Sequence, residues 1–379
     1  WTFRKKEKFF DIVTYTGNSG TSQTIAHGLN GPVGMILVKS YAGASASQNW
    51  MVFHAGNGAT KYQVLNDTTA AATATSVWND TAPTDTHFTV GSDSSVNNSN
   101  KTYIAYLFAD NSSEDADDQM IKCGTYNGTG ANQNIDLGWE AQWVLVKATI
   151  GTNSWAMFDT MRGMPTEGID GSARLKAESN VAETELGPAG GISAHSRGFT
   201  AKGGTGTYNQ SGNSYIYMAI RAPMMKKPEA ATDVFAMDLG TSSVPSWISG
   251  FPVDMAINTT YETTAHKIVG ARLTSGRYLD TTVSSAEASE GNNTFDFMNG
   301  WNKDSRPYTY FCWMWKRAKG YMDVVCYSGN STSGRAIAHS LGVVPEMMWV
   351  KTRSDNDGWA VYNKTIGATK FLALNNGDS

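Results

Sequence analysis

The sequence predicts an all-β protein built of tandem β-sandwich units, of jelly-roll or concanavalin-like form. Three observations carry that prediction. Charged residues make up 17% of the 379 positions, while aromatics reach 11% with 12 Trp, and 38 Gly stand among abundant Ser, Thr and Asn. A typical soluble domain carries about 25% charge, and helical bundles need long runs of Ala, Glu, Lys and Leu, which are missing. Strand-length runs rich in β-branched and aromatic residues, bounded by turn formers, recur along the whole chain. The third observation is an internal repeat.

The repeat is read directly. Tyr15-Thr16-Gly17-Asn18-Ser19 returns as Tyr327-Ser328-Gly329-Asn330-Ser331, Ile25-Ala26-His27 as Ile337-Ala338-His339, and Met35 to Lys39 as Met347 to Lys351, all offset by 312. Aligned without gaps, 1–39 and 313–351 agree at 14 positions. Further on the offset is 309, pairing Trp50 with Trp359 and Gly58-Ala59-Thr60-Lys61 with Gly367-Ala368-Thr369-Lys370. A shorter period lies inside: Tyr126-Asn127-Gly128 answers Tyr15-Thr16-Gly17, Trp155 answers Trp50, and Tyr215-Ile216-Tyr217 answers Tyr103-Ile104-Ala105.

These offsets divide the chain. Residues 1–10 read as the end of a preceding unit, 11–110 and 120–223 as two sandwiches, 229–318 as a divergent third, and 323–379 as a truncated equivalent of the first. The array is expected to continue beyond both ends. Segment 120–223, with its own strand set and polar joints, is expected to fold alone. The joints are 111–118, acidic, and 223–229, which carries two prolines and two lysines. Only 173–185 has a helix-friendly composition, and it lacks an apolar stripe.

Candidate sites are few. The net charge of -4 gives no basic face for nucleic acid. No apolar run approaches membrane-spanning length. Signatures of nucleophile elbows, P-loops and zinc sites are missing, so no catalytic or metal-binding residue is assigned and the chain reads as no enzyme. Cys123, Cys312 and Cys326 read as buried thiols. His27 and His339 read as structural hydrogen-bonding residues, the repeated Lys39, Lys147 and Lys351 as solvated strand ends, and the repeated Trp50, Trp155 and Trp359 as core. The non-repeated Trp78 and Trp247 lie among polar loop residues, where a ring face could stack on a sugar. Asp115-Ala116-Asp117-Asp118 and Asp355-Asn356-Asp357-Gly358 offer oxygen ligands for calcium, without full EF-hand spacing. A surface-polysaccharide hydrolase and a bacterial surface adhesin are the alternative readings.

The pieces at 15–18, 25–29, 35–39, 50–54, 58–61, 78–88 and 97–109 together resemble repeat domains of long virion proteins of marine tailed phages. The resemblance spans nearly the whole chain and is strongest in its first and last units. It implies a virion location and a structural role in a tail fibre or appendage. Self-association is expected with it, as in the trimers common among fibres, though no coiled-coil heptad supports a trimer, and so is contact with other virion proteins. Low charge with abundant Asn, Ser, Thr and aromatics suits contact with neutral host-surface glycans. The resemblance carries no catalytic residues.

Overall fold

A computed structural model describes all residues except 44–47, 115–117, 161, 163, 165–171, 188–189, 223–226, 275, 291–292, 296, 305, 307 and 376–379. Part of each joint predicted from sequence, and the acidic run at 115–117, therefore lies outside the described residues. The protein is all-β. The α-helix among the described residues is the single turn Thr75–Trp78. The helix-friendly stretch folds instead as strands Ala173–Lys176 and Thr184–Glu185, as its missing stripe allows.

The chain separates into two compact units, one of residues 1–159, 171–193 and 197–222, the other of 160–170, 194–196 and 223–379. The first unit holds two six-stranded antiparallel sheets. The first sheet runs in the spatial order Phe10–Thr16, Lys101–Ala109, Val33–Gly43, Met51–His54, Lys61–Val64, Ala72–Thr73. The second sheet runs Ile121–Asn127, Ser214–Arg221, Ala141–Ala148, Ala156–Asp159, Ala173–Lys176, Thr184–Glu185. The other unit repeats this order in a third sheet: Phe235–Leu239, Tyr310–Trp315, Met255–Thr260, Ile268–Ala271, Arg277–Asp280, Ala288–Ser289. Its fourth sheet has three strands, Met347–Val350, Ala360–Asn363 and Leu372–Ala373. These correspond to the third, fourth and fifth strands of the others.

Each large sheet has an inner face covered by a short second layer. Gln23–Ala26 pairs with His87–Val90, Gln133–Asp136 with Gly198–Ala201, and Trp247–Ile248 with Gly300–Trp301. The alternation of strand side chains sends one set to each face. In the first sandwich the inner set includes Tyr15, which stacks on Tyr103 at 5.1 Å and meets Phe88 edge-on. Tyr126, Tyr215 and Phe199 reproduce that trio in the second. In the third, Trp247, Phe295 and Trp301 fill the inner layer. The outer faces of the first and second sheets are apolar as well. Phe10, Met35 and Phe108 share one continuous core with Trp143, Leu145, Trp155, Ile216 and Met218. The 120–223 segment thus buries an apolar face against its neighbour, which the expectation of independent folding did not foresee.

The entry to the first sandwich and the entry to the fourth sheet are built alike. A tight hairpin joins Lys6 to Phe10, and another joins Ala318 to Met322. Lys8 N–H donates to Leu29 O at 2.6 Å, and Gly320 N–H to Leu341 O at 2.7 Å. Lys8 and Gly320 both adopt left-handed backbone, with φ of 57° and 72°. Glycine enters that region freely, whereas a lysine there costs about 1 kcal/mol, so the surrounding hydrogen bonds must hold it. Asp11 accepts from Gly28 N–H and binds Lys5 Nζ, both at 2.6 Å. Asp323 accepts from Ser340 N–H and Arg317 Nε, both at 2.7 Å. Burial pushes the Asp11 carboxyl up, but the Lys5 ammonium and the Gly28 and Ile12 amides outweigh it and hold its pKa below the usual value.

Candidate sheet-docking interface

Several residues singled out from sequence sit elsewhere than expected. Trp78 and Trp247 are not sugar platforms. Trp78 is 1% exposed at the end of the helical turn and meets Phe53 edge-on at 5.9 Å. Trp247 is fully buried and stacked on Trp301 at 5.2 Å. The rings fill the sandwich, and Ser246 is buried beside Trp247, so neither ring face is open to a ligand. In the 355–358 run, Asn356 Oδ1 accepts from Ala286 N–H, and Asp357 Oδ2 accepts from Thr352 Oγ1. Among the described residues no cluster of three ligating side chains forms. His27 and His339 each accept a backbone N–H two residues on, from Leu29 and Leu341. Cys123 and Cys312 are buried, and Cys326 is half-buried.

The repeated tryptophans do something more specific than filling a core. Trp155 reaches from the second sheet to the first, and its ring N–H donates to Val64 O at 2.8 Å. Trp359 reaches from the fourth sheet to the third, and its ring N–H donates to Asp280 O at 2.8 Å. Val64 and Asp280 are both the last residue of the fifth strand of their sheets. That carbonyl points away from the fourth strand; Val64 O also accepts Asp67 N–H at 3.3 Å, and the indole adds a second donor there. The indole supplies both the donor and the apolar surface that excludes water around it. Trp359 lies on Ile257, Val269, Met255, Leu279, Trp313 and Trp315, the outer face of the third sheet.

A second pair of bonds accompanies each ring. Ala71 N–H donates to Thr149 O at 2.9 Å, and Glu287 N–H donates to Arg353 O at 2.8 Å. Thr149 and Arg353 each lie two residues beyond a repeated lysine, Lys147 and Lys351. The plug is therefore a loop and a tryptophan that follow the third strand. The socket is the end of the fifth strand and the turn after it. The two docks differ beside the anchor. Arg353 grips Glu287 with Nε at 3.0 Å and Nη2 at 2.8 Å, a bidentate pair in which the Glu287 side chain is 1% exposed. Thr149 and Ala71 carry no charge at the corresponding place.

The lysines are part of the plug, not solvated strand ends. Lys147 is fully buried, donates to Thr68 O at 2.8 Å and Asn153 O at 2.6 Å, and lies 5.8 Å from the Trp155 ring. Lys39 donates to Gln48 O and lies 6.0 Å from the Trp50 ring. Lys351 donates to Thr352 O and Asp355 O. Each lysine ties the loop, and in the first two plugs it adds a cation–π contact to the tryptophan. Burial pushes the Lys147 ammonium down to about 8, against the partial opposition of Glu178 and Asp67.

Two further residues at the first dock carried no sequence signal. His54 Nε2 bonds Tyr217 O at 3.0 Å while Nδ1 accepts Gly56 N–H, which assigns the proton to Nε2. Full burial pushes this imidazole down to about 4. Gln63 Nε2 donates to Ala148 O at 3.1 Å. Gly34 lies so close to Cys123 that a Cβ would collide with its Sγ, so a glycine is what lets the two sheets meet. Neither His54 nor Gln63 is repeated, because Asp159 and Leu279 stand at the matching strand positions. A repeat search could not have found them.

One family matches this chain over 5–223 and 280–379. The chain belongs to DUF7483, described as a domain of unknown function. In this DUF7483 member both halves of each dock fall inside the matched stretches, Val64 with Trp155 and Asp280 with Trp359. The unmatched 224–279 belongs to the unit that diverges most in sequence. No curated protein and no solved structure matches the DUF7483 chain.

Proposed function

We propose that this chain is a non-enzymatic structural protein of a phage particle, a fibre or appendage component made of docked sandwiches. The observation that carries the reading is the dock itself, the same ring N–H to fifth-strand carbonyl bond made twice. A chain that uses its large aromatics and the buried Lys147 to fix sheet to sheet is built for mechanical continuity. The sequence resemblance to virion repeat domains supports a location on the particle. Partners on this reading are other virion proteins, further copies of the chain, and neutral host-surface glycans, for which loops rich in Asn, Ser and Thr supply amide and hydroxyl groups. The test is mass spectrometry and immunogold labelling of purified particles with antibodies against the chain. Labelled appendages are expected. Absence of the protein from purified particles overturns the reading, as does turnover of a polysaccharide by the purified chain.

A further inference from the structure

Trp50 occupies in the first sheet the place that Trp155 and Trp359 occupy in theirs. Its backbone is held in the same way. Trp50 N–H donates to Asn66 Oδ1 and Leu65 N–H donates to Trp50 O, as Trp359 N–H donates to Asn375 Oδ1 and Leu374 N–H to Trp359 O. Lys39 and Tyr106 flank its ring at 6.0 Å each. The ring's own target differs. Trp50 is half-buried, and its ring N–H meets no acceptor among the described residues. Tyr41, two residues beyond the lysine as Arg353 is, lies at a bulge within the third strand and is 53% exposed. The Trp50 anchor is in place and unengaged.

We propose that the Trp50 face is a third dock and that it takes the Asp280 edge of the third sheet in a second copy of this chain. The choice of socket follows from the sequence. From the tryptophan onward Trp50 and Trp359 open the same segment at offset 309, after a loop three residues longer in the first sheet, and Trp359 sits in the Asp280 socket. The Asp280 carbonyl accepts the indole N–H, Glu287 N–H meets the Tyr41 carbonyl, and the Tyr41 hydroxyl supplies a donor where Arg353 supplies its guanidinium. Ile257, Val269 and Leu279 form the apolar floor. Trp50 of one copy thus competes with Trp359 of the other for one socket, and exchange links copies head to tail. The inference concerns the chain itself and holds whatever particle carries it.

Sedimentation velocity tests the competition. In the wild-type chain the tethered Trp359 plug has an effective concentration in the millimolar range, so a monomer is expected at micromolar protein. Arg353→Glu sets two carboxylates against each other and expels the resident plug without opening a cavity. Trp359→Ala removes its anchor. Either variant is expected to self-associate, and adding Trp50→Ala is expected to weaken that association at least about tenfold, as for a buried tryptophan anchor. Should a variant fail to fold by near-UV circular dichroism, the wild-type chain concentrated into the millimolar range replaces it, with Trp50→Ala as its control. Monomers throughout, or association that Trp50→Ala leaves unchanged, overturn the proposal.

Discussion

At the scale of single residues, Trp155 and Lys147 work as one device. The tryptophan supplies an anchor, and the lysine fixes the loop that presents it. Replacing Trp155 by Ala removes a buried ring, its hydrogen bond to Val64 O and the water exclusion around it. A loss of about 3–5 kcal/mol is expected in urea unfolding; a loss under about 1 kcal/mol contradicts the assignment. Lys147 makes a distinct prediction with pH. Its folded pKa of about 8 lies below the unfolded 10.5, so between these values the unfolded chain binds more protons, and stability rises with pH. Thermal melts of wild type should therefore gain on those of Lys147→Met as pH moves from 8 toward 10. A difference independent of pH means that the lysine is not held charged in a buried site. The sequence displayed both residues through their repetition but left them unconnected. Lys147 lies on one strand and Trp155 just before the next, and only the turn of the loop between them brings ammonium and ring together.

The elements that dock are outer sheet faces, and their apolar alternation was readable while their destination was not. Met35, Phe108 and Phe10 look like ordinary core positions whether they face their own cover or a neighbouring sheet. A period of two says that both faces are apolar, not what covers each. His54 places a pH limit on this contact. Its folded pKa near 4 lies below the ordinary 6.5, so the unfolded state binds the extra proton in that interval. Its contribution is complete above pH 6.5 and lost as pH falls toward 4, about 3 kcal/mol in all. His54→Gln should flatten the wild-type stability curve over that interval. If the wild-type and variant curves stay parallel between pH 6.5 and 4, the imidazole is not titrating between the sheets.

For the molecule as a whole, the all-β class was legible from strand runs, because turn formers punctuate every sandwich, whereas the spatial order of the strands was not read from sequence. The grouping of sandwiches was hidden, since it depends on outer faces. An excised 120–223 segment would bare Trp143, Leu145, Trp155, Ile216 and Met218, a patch that soluble monomers rarely tolerate. That segment is expected to bind a hydrophobic dye and to melt without cooperativity, whereas 1–222 should melt as one cooperative transition. A sharp, dye-free melt of 120–223 alone would show that the sheet contact contributes little. The Arg353–Glu287 pair carries one more consequence. Both docks use the same anchor, yet a threonine beside alanine marks one and an arginine beside glutamate marks the other. Exchanging the plugs would bury a lone carboxylate, a penalty of about 3–5 kcal/mol. The shared tryptophan works as a common key, and the neighbouring pair as an address that keeps the Thr149 plug out of the Glu287 socket.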